Sequence, residues 1–224
     1  MVLDRQQYFD RWAELHGGYD PRSSRLSSAW LTVAYTVARP LAAARVSPDL
    51  VTMLGAGVSL LAVYLASLGE RWVIGAAVVV AVSGLADNLD GAVAVMTGRT
   101  SRWGFVLDSV VDRVSDGLYL VALWVVGSPA WVCVLAGALM GLQEYSRARA
   151  GNAGMSEIGV VTIWERPTRV NTTAMFLLGA GIYVTDAPGW ASVGAAVWAT
   201  LGLVGLLQLL VVVRRRLGPA GRSG

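Results

Sequence analysis

An all-α membrane protein of six transmembrane helices, preceded by amphipathic surface helices, is the fold class this sequence predicts, and three observations predict it. Hydrophobic residues make up 55% of the chain and charged ones only 15%, with a mean hydropathy of +0.56, too apolar for an ordinary soluble domain. From Leu50 onward, six apolar stretches separated by short polar breaks each have the roughly 20 residues a helix needs to cross a bilayer. Arginine and tryptophan are distributed along the chain as membrane topology requires.

The elements follow in order. In the first, Asp4 to Leu15, Tyr8, Trp12 and Leu15 recur at helical spacing among Arg5, Asp10, Arg11 and Glu14, which predicts an amphipathic helix lying on the membrane surface. A second such helix runs from Ser28 to about Arg39 and ends near Pro40, turning Trp30, Leu31, Ala34, Tyr35 and Ala38 toward lipid. His16, beside two glycines, reads as a solvated residue with no role. The six spans are placed at 50–69, 72–96, 104–126, 129–149, 169–186 and 189–214.

The turns after the first, third and fifth spans hold a single arginine, Arg71, while all the rest but Arg113, inside the third span, lie in the N-terminal segment, the longer loops, the neighbouring helix ends and the tail with Arg214, Arg215 and Arg216. The positive-inside rule then places both termini and both longer loops in the cytoplasm of a multi-pass plasma-membrane protein. Trp72, Trp131 and Trp190 fall at the three outer ends, with Trp103 and Trp164 in the inner loops. This divides the chain into an N-terminal cytoplasmic segment (1–48), a six-helix catalytic domain (49–214) and a cytoplasmic tail (215–224). Gly137 and Gly141 form a small-xxx-small pair able to pack against a neighbouring helix or a second subunit. Cys133 is the only cysteine, so no disulfide forms within the chain. All 18 basic residues are arginines, but their placement serves topology and lipid headgroups and predicts no nucleic-acid partner.

Chemistry is concentrated in two adjacent spans, which contain Asp87, Asp90, Asp108, Asp112 and Asp116. Ionisable residues inside spans are costly and mark function. Asp87 and Asp90 are three apart and Asp108 and Asp112 four apart, so each pair shares a helix face. Four converging carboxylates repel one another unless positive charge sits among them. A pair of Mg²⁺ or Mn²⁺ ions about 4 Å apart meets that need and suits phosphoryl transfer, while the absence of nearby His or Cys argues against zinc. Gly91 and Gly104 permit close backbone approach to a diphosphate, and Arg99, Ser101 and Arg102 between them supply donors for phosphate oxygens. Asp87 lies about four helical turns beyond Trp72, near the cytoplasmic end of its span.

The run Asp87-x-x-Asp90-Gly91-x-x-Ala94, followed by Gly104-x-x-x-Asp108-x-x-x-Asp112, resembles the signature of the CDP-alcohol phosphotransferase family, D-x-x-D-G-x-x-A-R then G-x-x-x-D-x-x-x-D. Val95 stands where the pattern has Arg. The resemblance implies six spans behind an amphipathic segment, a homodimer, and transfer of a phosphoalcohol group from a CDP-linked lipid to a hydroxyl with release of CMP. It makes Asp87, Asp90 and Asp108 metal ligands, and Asp112 both a ligand and the base that deprotonates the acceptor. Pro48, Asp49 and Thr52 resemble the family's cytidine-contacting turn, and with Gly91, Ala94, Arg99, Ser101 and Gly104 form the expected donor site.

Within the family, Tyr145 to Gly151 and Glu165 to Arg169 look most like the actinobacterial phosphatidylinositol phosphate synthases. That likeness makes Arg147, Arg149, Arg166 and Arg169 the acceptor-phosphate residues and a polyol phosphate such as inositol 1-phosphate the acceptor. A phosphatidylglycerophosphate synthase, whose acceptor is glycerol 3-phosphate, or another CDP-alcohol transferase is the alternative. From another class, a cation transporter also buries Asp, but the duplicated, broken-helix halves of transporters are missing. An inactive relative is supported only by Val95 and opposed by retention of all four Asp.

Overall fold

In the computed structural model of the chain, which describes residues 2–15, 17–155 and 161–217, the described residues are helical apart from turns and loops. The helices are α1 (Arg5–Leu15), α2 (Arg25–Ala43), α3 (Pro48–Ser67), α4 (Trp72–Thr97), α5 (Arg102–Val126), α6 (Ala130–Asn152), α7 (Arg166–Ile182) and α8 (Ala187–Leu217), with short 3-10 turns at Pro21–Ser23 and Val184–Asp186. The last six lie where the six spans are expected. Three segments, Pro48–Ser67, Trp72–Thr97 and Val184–Leu217, are long and apolar enough to cross a membrane by themselves. Helices α5, α6 and α7 are less apolar because they contain Asp108, Asp112, Asp116, Glu144, Arg147, Arg166 and Arg169. His16 and the tail from residue 218 on lie outside the described residues.

Local chemistry sets the boundaries. Pro48 opens α3, where its missing N–H costs nothing, and Pro167 does the same in the first turn of α7. Helix α4 ends at Gly98, whose φ is +65°. The Arg99 N–H donates to the Ala94 carbonyl at 2.9 Å and the Gly98 N–H to Val95 at 3.3 Å, a Schellman end. Helix α2 does not stop at Pro40 as expected but continues to Ala43.

The chain packs as two compact units, one formed by the chain up to Val58 with Val82–Val114, the other by Ser59–Ala81 with the chain from Ser115 on. The core of the first joins Tyr8 and Phe9 of α1 and Leu31, Ala34, Ala38 and Ala42 of α2 to Ala92, Val93, Val95 and Met96 of α4. This core bears on the expectation for both leading helices. In α1, Tyr8 and Phe9 are buried against protein, at 1% and 3% exposure, while Trp12 is half-buried and Leu15 is exposed, and burial pushes the Tyr8 phenol up to about 12. Of the α2 residues expected to face lipid, only Trp30 is exposed, and it is joined by Val33 and Val37. The periodicity is right, but α2 is apolar on two sides and the sequence does not show which side meets protein.

The second unit has a core of Ala and Val from α3 and α4, Tyr119 and Leu123 from α5, Ala136 and Met140 from α6, Leu177 from α7 and Trp198 from α8, closed by Trp164 from the loop before α7. Trp164 and Trp198 meet edge to face at 4.9 Å, and both are fully buried. Gly202 and Gly205 form the notch that admits Trp164, since a Cβ on Gly205 would lie 2.6 Å from the Trp164 Cβ. Gly205→Ala is therefore expected to destabilise the protein by about 1–3 kcal/mol through overpacking. Gly141→Ala, which would meet nothing within 4 Å, serves as the control; thermal unfolding in detergent compares the two.

Candidate active site

In the first unit, α4 and α5 bring one carboxylate oxygen from each of Asp87, Asp108 and Asp112 within 4.8 Å of one another, all three half-buried. Asp87 comes from the middle of α4, and Asp108 and Asp112 are stacked one turn apart on α5. Asp90 is more deeply buried, at 8% exposure. The Thr52 hydroxyl donates to its Oδ2 at 2.5 Å, and the Gly91 N–H donates to its Oδ1 at 2.6 Å. Thr52, expected at the nucleotide, thus orients a carboxylate of the expected metal set. Arg113, which the sequence reading passed over, places Nη2 3.5 Å from Asp112 Oδ2; its adjacency to Asp112 was the available signal.

The other residues expected at the donor gather in the same unit. Asp49 sits in the first turn of α3, and its Oδ1 lies 3.7 Å from where a Gly104 Cβ would stand. Ser101 Oγ accepts from the Gly104 N–H at 2.9 Å. A Cβ on Gly91 would project into open space, leaving that backbone approachable. Ala94 is half-buried, whereas Arg99 and Arg102 are exposed on either side of the α4–α5 turn. Val95 is 7% exposed and lies in the apolar core with Tyr8 and Phe9.

A second polar cluster occupies the other unit. Arg169 is fully buried, donating from Nη1 to Asp116 at 2.9 Å, and from Nη2 to Glu144 at 2.7 Å and the Trp164 carbonyl at 3.0 Å. Arg166 Nη1 lies 3.8 Å from the other Asp116 oxygen. Arg147 donates from Nη2 to Glu165 at 2.7 Å, with its Nε 3.7 Å from Glu144. Of the four arginines expected at an acceptor, three thus join this network, while Arg149 is exposed near the end of α6. Sequence reasoning missed Glu144, although its i, i+3 spacing to Arg147 was visible.

Oxygen ligands alone suit a hard divalent cation, and a helical fold with such a cluster fits the class of membrane-embedded proteins that bind a divalent metal. Residues 45–211 match the family model of CDP-alcohol phosphatidyltransferase, and the chain belongs to that family. It is 35% identical over 185 residues to the phosphatidylinositol phosphate synthase of Streptomyces avermitilis, covering 76% of this chain and 73% of that one. To the phosphatidylinositol phosphate synthase of Mycolicibacterium smegmatis it is 34% identical, with 84% and 86% covered. The crystal structure of Mycobacterium tuberculosis phosphatidylinositol phosphate synthase with CDP-DAG bound superposes with a TM-score of 0.70 at 28% identity, over 82% of this chain and 94% of that one. The same enzyme in complex with manganese and citrate gives 0.68, also at 28% identity, over 80% and 88%. The chain is accordingly a membrane protein and a transferase.

The buried ion pair yields a stability prediction. Arg169→Ala would leave Asp116 buried without its closest cation, costing about 3–5 kcal/mol. Adding Asp116→Asn to it should recover part of that loss in the thermal unfolding midpoint, measured in detergent.

Proposed function

We propose that this protein transfers the phosphatidyl group of CDP-diacylglycerol to the hydroxyl of a polyol phosphate such as inositol 1-phosphate, releasing CMP, in phospholipid synthesis. The observation that carries this reading is the convergence of Asp87, Asp108 and Asp112 on one point, within a chain whose relatives are named phosphatidylinositol phosphate synthases. Two Mg²⁺ or Mn²⁺ ions held by Asp87, Asp90, Asp108 and Asp112 would offset the diphosphate charge and polarise its oxygens.

The residues of the chain account for the remaining roles. Asp112 accepts the proton of the acceptor hydroxyl as its oxygen bonds to the lipid-bearing phosphorus. The bond from that phosphorus to the CMP oxygen breaks, and CMP leaves with the electron pair. Thr52 holds Asp90 in place, while Asp49, Gly91, Ala94, Ser101 and Gly104 accept the nucleotide and diphosphate, with Arg99 as a cation at the turn. Arg147, Arg149 and Arg166 bind the acceptor phosphate through charge-assisted bonds. Arg169, having no exposed surface, enters the acceptor site by holding Asp116 and Glu144. The chain crosses the plasma membrane six times as a homodimer, with both termini and the site cytoplasmic; arginine placement and the family likeness support this.

Two outcomes test the reading. Purified protein given CDP-diacylglycerol and inositol 1-phosphate should release CMP only when Mg²⁺ or Mn²⁺ is present. Asp112→Asn should reduce kcat about 10²-fold or more with the unfolding midpoint kept; an active Asn variant would remove the base assignment. Inositol 1-phosphate should also outcompete free inositol, and Arg149→Ala or Arg166→Ala should raise the acceptor KM about tenfold or more, the loss of a charge-assisted bond, with donor KM little changed.

A further inference from the structure

Glu165 stands at the N-cap of α7 but its side chain makes no cap hydrogen bond to that helix. It turns back, and a single oxygen, Oε1, accepts three hydrogen bonds: from the Thr162 N–H at 2.8 Å, the Thr162 hydroxyl at 2.8 Å and Arg147 Nη2 at 2.7 Å. An N-cap carboxylate ordinarily satisfies the first N–H groups of its own helix. Here that stabilisation is given up for a link between the loop and α6.

The loop that presents Glu165 is fixed on every side. Gln143 of α6 donates to the Thr162 hydroxyl at 3.0 Å and to the Trp164 carbonyl at 3.4 Å. Arg169 of α7 donates to the same carbonyl, and Gln208 of α8 accepts from the Ile163 N–H at 3.0 Å. Trp164, between Ile163 and Glu165, fills the glycine notch of α8. The carboxylate is therefore attached to a rigid platform rather than to a mobile segment. A guanidinium is planar, with five donors in fixed directions, so anchoring Nη2 to such a platform fixes the direction of the other donors as well.

We propose that Glu165 is a positioning residue that holds the Arg147 guanidinium in the orientation that receives the acceptor's phosphate. This rests on the reading of Arg147 as an acceptor ligand. A flexible arginine must lose rotamer freedom when it binds an anion, and one already held loses less. The carboxylate also offsets part of Arg147's charge, which opposes phosphate binding. The two effects predict opposite signs for removal of Glu165, and positioning is the one the platform is built for.

The test compares Glu165→Ala, Glu165→Gln, Arg147→Ala and the Glu165→Ala/Arg147→Ala double variant, with inositol 1-phosphate and CDP-diacylglycerol as substrates. Glu165→Ala should raise the acceptor KM about three- to tenfold, with kcat and donor KM within twofold of the parent. Glu165→Gln, which keeps an oxygen for the same three donors, should recover at least half of that affinity. In the Arg147→Ala background, Glu165→Ala should change the acceptor KM by less than twofold. A KM that stays level or falls in Glu165→Ala, while Arg147→Ala is impaired, overturns the positioning role alone. An equal effect with and without Arg147 overturns it too, showing a purely structural loop contact. If Arg147→Ala itself leaves the acceptor KM unchanged, the reading of Arg147 falls and the proposal with it, whereas turnover of inositol 1-phosphate by the parent reports separately on the activity.

Discussion

Charge placed inside an apolar helix has to be compensated nearby, and this constraint organises both polar clusters of the protein. An isolated ionised carboxylate in a low-dielectric interior is far too costly to persist. The two units meet the constraint differently. Asp87, Asp108 and Asp112 bring oxygen atoms together, with Arg113 beside Asp112, in an arrangement suited to a divalent cation. Asp116 and Glu144 are matched by Arg169, Arg166 and Arg147 through direct ion pairs. A cluster of converging carboxylate oxygens is suited to metal chemistry. A cluster already balanced is suited to being rigid, and it borders the arginines assigned to the acceptor.

Rigidity in the second unit comes from small residues as much as from ion pairs. Gly205 lets Trp164 enter its notch, and Gly181 lets α7 approach the Ile74 backbone so closely that a Cβ would stand 2.6 Å from its nitrogen. Helices with polar networks between them need such close approach, because a guanidinium reaches its carboxylate only over a few ångströms.

What was legible in the sequence follows from the range of the forces involved. Helix positions were readable because apolar run length and proline or glycine punctuation act locally, as at Pro48 and Gly98. The carboxylate cluster was readable because i, i+3 and i, i+4 spacing fixes helix faces. Partners across elements were not. Nothing local says that Arg169 meets Asp116 and Glu144, that Glu165 turns away from its own helix, or that Thr52 bonds Asp90. The contacts of Tyr8 and Phe9 were closed to sequence for the same reason: an amphipathic pattern specifies an apolar face but not which residues meet it.

Val95 brings these limits together. As a departure from the family's pattern it looks like a missing cation, and from sequence alone a neighbour such as Arg99 is the natural substitute. The structure puts Val95 with Ala92, Val93 and Met96 in the core that receives Tyr8 and Phe9, while Asp87 and Asp90 belong to the carboxylate group. A valine here adds apolar contact where α1 docks, and Asp90 keeps its hydrogen bonds from the Thr52 hydroxyl and the Gly91 N–H. The substitution therefore falls in the core where α1 and α2 pack on α4, so a departure from the family motif here is compatible with an intact carboxylate group.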